Sequence, residues 1–284
     1  MKILITGTEG QLAQEYQRIL PLSGHIVLAP SEESLDITDA ASIRVAMEKL
    51  HPDIVINCAA YNNVDKAETD IEMAHCVNAL GPENLAVSCV EHGALLVHYS
   101  SDYVFDGRKE GFYTEDDVTN PINRYGETKR DGEVRVMNVA AQYLIFRLSW
   151  VFGAGTQNFL HKLACWAAKN SVLKVVSDQI SVPTYTEDIA VVTMLAIERG
   201  LRGLYHLTNG GYAARYEVAR YFLERTGAES LVLPVTSDYF PSPAKRPYFS
   251  AMSNGRLTAE IGLEIPDWKN AMNRYIQNVR KGVQ

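Results

Sequence analysis

The chain has 284 residues, 46% of them hydrophobic, which is enough for one large domain or two modest ones with a buried core. A formal charge of −7 and a pI near 5.5 argue against a protein that coats nucleic acid or an anionic membrane, because either contact needs net positive charge on the binding face. Cys58, Cys76, Cys89 and Cys165 show neither a CxxC pair nor zinc spacing, no apolar run approaches membrane-spanning length, and no targeting leader is visible, so a reduced cytoplasmic protein is expected.

In chain order, strand-like apolar runs are predicted at Ile3 to Thr6, His25 to Ala29, Ile54 to Asn57, Ala94 to His98 and Leu144 to Leu148. Helical patterns separate them. Leu12, Tyr16, Ile19 and Leu20 share one face, as do Ile43, Ala46, Met47 and Leu50. Between 72 and 92 the Gly81-Pro82 pair either kinks one helix or starts a second at Pro82, and both readings stay open. After Trp150 come a helix over Phe159 to Lys169, Pro183, a helix over Glu187 to Arg199, and a strand over Gly203 to Thr208 that rejoins the sheet. From Asn209-Gly210-Gly211 the pattern is helix, loop, helix, with Pro234, Pro241, Pro243 and Pro247 in the loop. The alternation predicts an α/β fold, a Rossmann-type doubly wound parallel sheet with a smaller C-terminal lobe. The expected division is 1–150, with 185–208 rejoining it, as a dinucleotide-binding domain, and 151–184 with 209–284 as a substrate-binding lobe. Internal repeats and single-sign charge blocks are absent from the sequence.

Gly7-Thr8-Glu9-Gly10-Gln11-Leu12-Ala13 follows the first strand and opens the first helix. Gly7 permits the tight turn, Gly10 admits a pyrophosphate, and Ala13 lets the helix pack close, so that free N–H groups at the helix start face the phosphates. A glycine pair alone also suits any strand-to-helix turn; its position is what carries the reading. No carboxylate ends the second strand: the run is Ala29-Pro30-Ser31, with Glu32 and Glu33 later. Either NADPH or NADH fits, and Ser31, which donates a hydrogen bond and carries no charge, tilts the expectation towards NADPH.

Tyr125 and Lys129 stand four residues apart and project from one face of a helix. Reduction of a ketone needs a proton at oxygen, and a phenol becomes a usable acid when a neighbouring cation stabilises its phenolate. Ser101, at the end of the fourth strand, is positioned to hydrogen-bond the carbonyl oxygen, with Ser100 as the competing candidate. In isolation Tyr125 and Lys129 also suit a surface aromatic packed by a lysine stem. With the glycine turn they predict a nicotinamide-dependent carbonyl reductase.

These residues resemble the extended short-chain dehydrogenase/reductase family, and within it the dTDP-4-dehydrorhamnose reductases. The match is carried by GTEGQLA at 7–13, LDITD at 35–39, PDIVINCAAYNNVDKAE at 52–68, SSDYVFDG at 100–107, RYGETK at 124–129, RLSWVFG at 147–153, SDQISVPTYTEDIA at 177–190 and AKRPYFS at 244–250. The resemblance implies NAD(P)H-dependent reduction of dTDP-4-dehydro-6-deoxy-L-mannose to dTDP-L-rhamnose, with a dTDP-sugar as the small-molecule partner. It implies that the dinucleotide is held by Gly7, Gly10, Gln11, Leu12, Asp36, Ile37, Ala59, Ala60, Tyr61, Tyr99, Tyr125 and Lys129. The sugar nucleotide is implied to meet Asn62, Val64, Ser101, Asp102, Tyr103 and Trp150. Lys245 and Arg246, beside Pro247, are expected to supply cations for the diphosphate. Departures from the family pattern are serine at 101 where threonine is usual, Asn62-Asn63 where Thr-Ala is usual, and Ala13 in place of glycine.

Three rival readings remain. A sugar dehydratase of this scaffold carries Asp-Glu where this chain has Asp102-Tyr103. An epimerase shares the Tyr-Lys chemistry without net coenzyme consumption. A non-catalytic dinucleotide-binding regulatory subunit of methionine adenosyltransferase would not need the intact Ser101, Tyr125 and Lys129 set. The seven histidines show no paired metal spacing, so no metal site is expected. The oligomeric state is open, a homodimer included.

Overall fold

A computed structural model describes residues 1–140 and 142–282. In chain order the elements are β1 (Lys2–Thr6), α1 (Gln11–Ile19), β2 (Ile26–Leu28), α2 (Ala40–Leu50), β3 (Ile54–Asn57), α3 (Ile71–His75), α4 (Gly81–His92), β4 (Leu95–Ser101), α5 (Arg124–Val139), β5 (Tyr143–Leu148), β6 (Val151–Phe152), α6 (Phe159–Ala167) and β7 (Val172–Val176). There follow β8 (Ile180–Ser181), β9 (Thr184–Tyr185), α7 (Thr186–Glu198), β10 (Gly203–His206), β11 (Ala213–Ala214), α8 (Arg215–Thr226), β12 (Leu231–Val235), α9 (Gly255–Ile261) and α10 (Trp268–Arg280).

Six parallel strands form the central sheet in the order β10, β5, β4, β3, β1, β2, a Rossmann-type doubly wound arrangement whose direction of winding reverses between β1 and β3. Strand residues alternate between two apolar layers, as the pleat requires. Ile3, Ile5, Val97 and Phe146 pack with Tyr16 of α1 and Ile189 of α7 on one face. Leu4, Val55, Leu96 and Ile145 pack with Met47 of α2, Leu85 of α4 and Val136 of α5 on the other. A separate apolar cluster joins Phe152, Leu163, Phe222, Trp268 and Tyr275 in the C-terminal lobe.

The strand expected over 203–208 runs over Gly203–His206 and pairs with β5 at the sheet edge. The stretch from 209 is richer than helix, loop, helix. It contains α8, then β12, which pairs in parallel with β7, then a loop leading to α9 and α10. Pro234 obscures β12 in the sequence, and a proline is tolerated there because the two-stranded sheet leaves β12 an open edge. The ambiguity at Gly81-Pro82 resolves into a third form. The helix begun at Ile71 widens into a π turn over Cys76–Leu80, and α4 starts at Gly81 with Pro82 in its first turn. That turn carries Asn78, whose side chain accepts from the Tyr61 N–H at 2.9 Å and donates to the Tyr61 carbonyl and to Thr128 of α5, each at 3.1 Å.

Two glycines let α5 approach the rest of the domain. A β-carbon at Gly126 would lie 2.2 Å from the Tyr103 carbonyl oxygen, and one at Gly132 would lie 2.2 Å from that of Asn78. Backbone contact at both places fixes how α5 lies against the end of β4.

Candidate active site

At the carboxyl ends of β1, β3, β4 and β5 a cleft of about 960 Å³ opens between the sheet and the C-terminal lobe. This is where an open α/β sheet binds its ligand. The glycine turn forms one end. Gly7 adopts φ +63°, and a β-carbon there would come within 2.6 Å of the Ala59 backbone, so turn and β3 loop are in contact. Gly10 caps α1 without any side-chain hydrogen bond, and no acidic residue occupies the first turn. The amides of that turn are therefore left for an anion. Gly10, Gln11, Leu12, Ala59 and Ala60 line the cleft, and the buried Oε1 of Gln11 has no partner among the described residues. These features fit a dinucleotide diphosphate.

Other expected cofactor residues sit differently. Tyr99 lines the cleft but directs its hydroxyl into the core, to Tyr16 and, at 3.1 Å, to Thr193. Gly7 supports the cleft from beneath. Asp36 is exposed and accepts from the Thr38 N–H at 2.8 Å and hydroxyl at 2.7 Å; Ile37 is buried against Gly81. Tyr61 lies outside the cleft lining and donates its hydroxyl to Asp70 at 3.0 Å.

The reactive groups meet at the centre. Ser101 ends β4, and the Tyr125 hydroxyl is hydrogen-bonded to it. Ser100 also lines the cleft, but its hydroxyl is buried without a partner, so Ser101 is the serine coupled to the phenol. Burial raises the proton affinity of Tyr125 above its ordinary value, opposed by Ser101. Lys129, one turn along α5, is 2% exposed and donates to the Tyr99 carbonyl at 2.6 Å. No hydrogen bond joins it to Tyr125 among the described residues, and its two other N–H donors remain for a bound ligand. Burial pushes the Lys129 ammonium down to about 8.

Asp102, next to Ser101, accepts hydrogen bonds from Ser250 at 2.6 Å, Ser181 at 2.9 Å, Ser101 at 3.1 Å and Ser149 at 3.3 Å. Burial raises its carboxyl above the usual range, and the four hydroxyls pull it back. The carboxylate thus ties the end of β4 to the end of its neighbour β5 through Ser149, to β8 through Ser181, and to the C-terminal loop through Ser250.

The opposite end is cationic and aromatic. Asn62, Val64, Tyr103 and Trp150 line it. Trp150 holds φ +40°, a conformation costly for a bulky residue, with the Arg215 guanidinium 4.1 Å from its ring centre. Tyr103 meets Tyr125 edge-on at 5.7 Å and hydrogen-bonds both Arg215 and Arg246. Arg246 lines the cleft, doubly paired with Asp65 at 2.7 and 2.8 Å, whereas Lys245 is exposed and outside it, its carbonyl accepting from Asn123 at 2.7 Å. Arg215 and Lys162 also line the cleft, and no sequence motif marks either. Arg215 opens α8, and only the tertiary fold brings it to Trp150.

Among the described residues no cluster of three or more His, Cys, Asp or Glu side chains is arranged to hold a metal, and no helix is long and apolar enough to cross a membrane.

A family model described as "RmlD substrate binding domain" matches residues 1–281. The chain is 36% identical over 276 residues to the spore coat polysaccharide biosynthesis protein SpsK of Bacillus subtilis, covering 97% of each. It is 38% identical to a dTDP-4-dehydrorhamnose reductase of Mycolicibacterium smegmatis, covering 98% of this chain and 86% of that one. The crystal structure of dTDP-4-dehydrorhamnose reductase from Bacillus anthracis in complex with NADP superposes with a TM-score of 0.95 at 33% identity, covering 98% of this chain and 99% of that one.

Proposed function

The chain belongs to the RmlD substrate binding domain family, and from that membership we propose that it reduces the 4-keto group of dTDP-4-dehydro-6-deoxy-L-mannose to give dTDP-L-rhamnose, with NADPH or NADH as reductant. The observation that carries this reading is the Tyr125 hydroxyl hydrogen-bonded to Ser101 inside the cleft, with Lys129 one turn behind it. When bound, the reduced nicotinamide supplies a hydride, both electrons going to the carbonyl carbon. Ser101, whose hydroxyl donates to Asp102 in the structure, would turn that proton to the substrate's carbonyl oxygen and orient it, and Tyr125 would deliver the proton that makes that oxygen an alcohol. Lys129 offers its free donors to the coenzyme and its charge to the phenolate left on Tyr125.

The glycine turn with Gln11, Leu12, Ala59 and Ala60 would hold the diphosphate of the dinucleotide, and Asp36, Ile37 and Tyr61, outside the cleft lining, would meet the coenzyme only beyond it. Asn62, Val64, Asp102, Tyr103 and Trp150 would surround the sugar, and Arg246 the second diphosphate, joined there by Arg215 and Lys162. Lys245 has no part in this reading. It divides the labour as 1–150 with 185–208 for the coenzyme, and 151–184 with 209–284 for the sugar nucleotide. Four free cysteines and the phosphorylated reactants support a cytoplasmic setting.

The test is to incubate the purified protein with the 4-keto sugar nucleotide and either coenzyme, resolving the product. Stoichiometric coenzyme oxidation and a rhamnose product are expected; no net oxidation with either would favour an epimerase or a regulatory protein. Tyr125→Phe should lower kcat by about 10²–10⁴-fold with coenzyme affinity nearly unchanged, since only the transferable proton is lost. A wild-type rate in that variant would overturn the mechanism.

A further inference from the structure

Behind the reactive groups lies a buried charged pair that the chemistry above does not use. Tyr125, Lys129 and Glu133 recur every fourth residue of α5 and so stand in one row. Glu133 is 1% exposed, and Arg147 of β5 holds both its oxygens, Nε at 2.8 Å and Nη2 at 2.7 Å. Arg147 is in turn covered by the Phe105 ring, 5.1 Å from its guanidinium carbon. Taking such a pair out of water is costly, and apolar residues of similar volume often stabilise a core as well or better. Packing alone does not explain its place.

The surroundings of Lys129 supply a reason. From β4 come the Tyr99 carbonyl and His98, a buried imidazole whose Nδ1 is 3.1 Å from Asn57 Nδ2 and which burial and the lysine charge keep neutral. From α5 itself comes Tyr125, whose phenol burial keeps protonated. Among the described residues Glu133 is the one anion that acts on the ammonium, opposing the burial that drives it towards a neutral amine. Resting on the reductase reading, we propose that Glu133, fixed in place by Arg147, is a positioning residue that keeps the Lys129 side chain charged in a dry site, so that Tyr125 releases its proton. Arg147 fixes the arrangement by donating to both carboxylate oxygens, which holds the Glu133 side chain in one place.

Glu133→Gln alone would strand the Arg147 charge, so the informative variant is the double substitution Glu133→Gln/Arg147→Met, which removes both charges at similar volume. Two readouts apply: the pH profile of kcat at saturating substrates, and an NMR titration of isotope-labelled lysine side chains, with the Lys129 signal assigned by its absence from Lys129→Arg. In the wild type, reduction should fall as pH rises through about 8, where Lys129 loses its proton. In the double variant both the Lys129 titration and that limb should move down by about one unit, roughly a tenfold lower kcat at pH 9, with both KM values nearly unchanged. Glu133→Asp, which keeps the charge, should retain the wild-type limb. A folded double variant with a wild-type limb and titration would overturn the proposal. So would a wild-type Lys129 titrating below pH ~6.5, which needs no substitution to read; a titration near 8 supports it even if the double variant does not fold. Failure of the wild type to oxidise coenzyme would sink the reductase reading instead, and the lysine titration would still be measured.

Discussion

The two ends of the cleft are built on opposite plans. The coenzyme end comes from one short stretch, Gly7 to Ala13, backed by the Ala59 backbone in the loop after β3, and it presents mainly backbone N–H groups. The sugar-nucleotide end is assembled from Asn62, Tyr103, Trp150, Lys162, Arg215 and Arg246, which lie far apart along the chain, and it presents side-chain charge and aromatic faces. A backbone device depends on what a residue lacks, such as a β-carbon or a side-chain cap. A side-chain device depends on what distant residues bring. The first is sensitive to added atoms, the second to removed ones.

Substitutions can break that contrast. Gly7→Ala adds a single methyl where φ is +63° and where its carbon would sit 2.6 Å from the Ala59 backbone. Left-handed strain and overpacking together should cost about 2–4 kcal/mol and weaken coenzyme binding by about 30-fold or more, read as a raised Kd for NADPH by fluorescence titration. Equal affinity would mean that the turn is not held by backbone contact. Arg215→Gln should do the converse, raising KM for the sugar nucleotide by about tenfold while leaving coenzyme Kd alone, because a half-buried cation loses its anion without disturbing the turn. A change in both constants would show that the ends are coupled. Lys245→Ala sharpens the comparison from the other side. The residue is exposed and outside the cleft, so steady-state kinetics should move less than about twofold, within the range of ordinary surface substitutions.

The same division decides what the sequence could tell. The glycine turn and the Tyr125–Lys129 spacing are contiguous, so their geometry follows from helix and strand periodicity before any tertiary contact is known. The positions of the sheet strands along the chain follow similarly, from apolar runs between turn residues, whereas their order in space appears only in the fold. Arg215 and Lys162 carry no signature because a cation on an amphipathic helix reads as a solvated face, and only the fold sets them along the cleft. Lys245 and Arg246 look alike in the sequence, as adjacent residues on a loop do, yet Asp65 pairs only with Arg246, which lines the cleft. The π turn at Cys76–Leu80 has no periodic signature, and its purpose emerges only with Asn78 holding both Tyr61 and Thr128. Strand β12 was hidden by Pro234, which interrupts a run that otherwise alternates between exposed Leu231 and buried Val232.

The close seating of α5 at Gly126 and Gly132 has a practical consequence. Because α5 lies so close to main chain at both points, any side chain added at either would push the helix, and with it the phenol, away from Ser101. A redesign of this domain for heat tolerance therefore has to leave those two positions bare, whatever else of the oily interior it fills in.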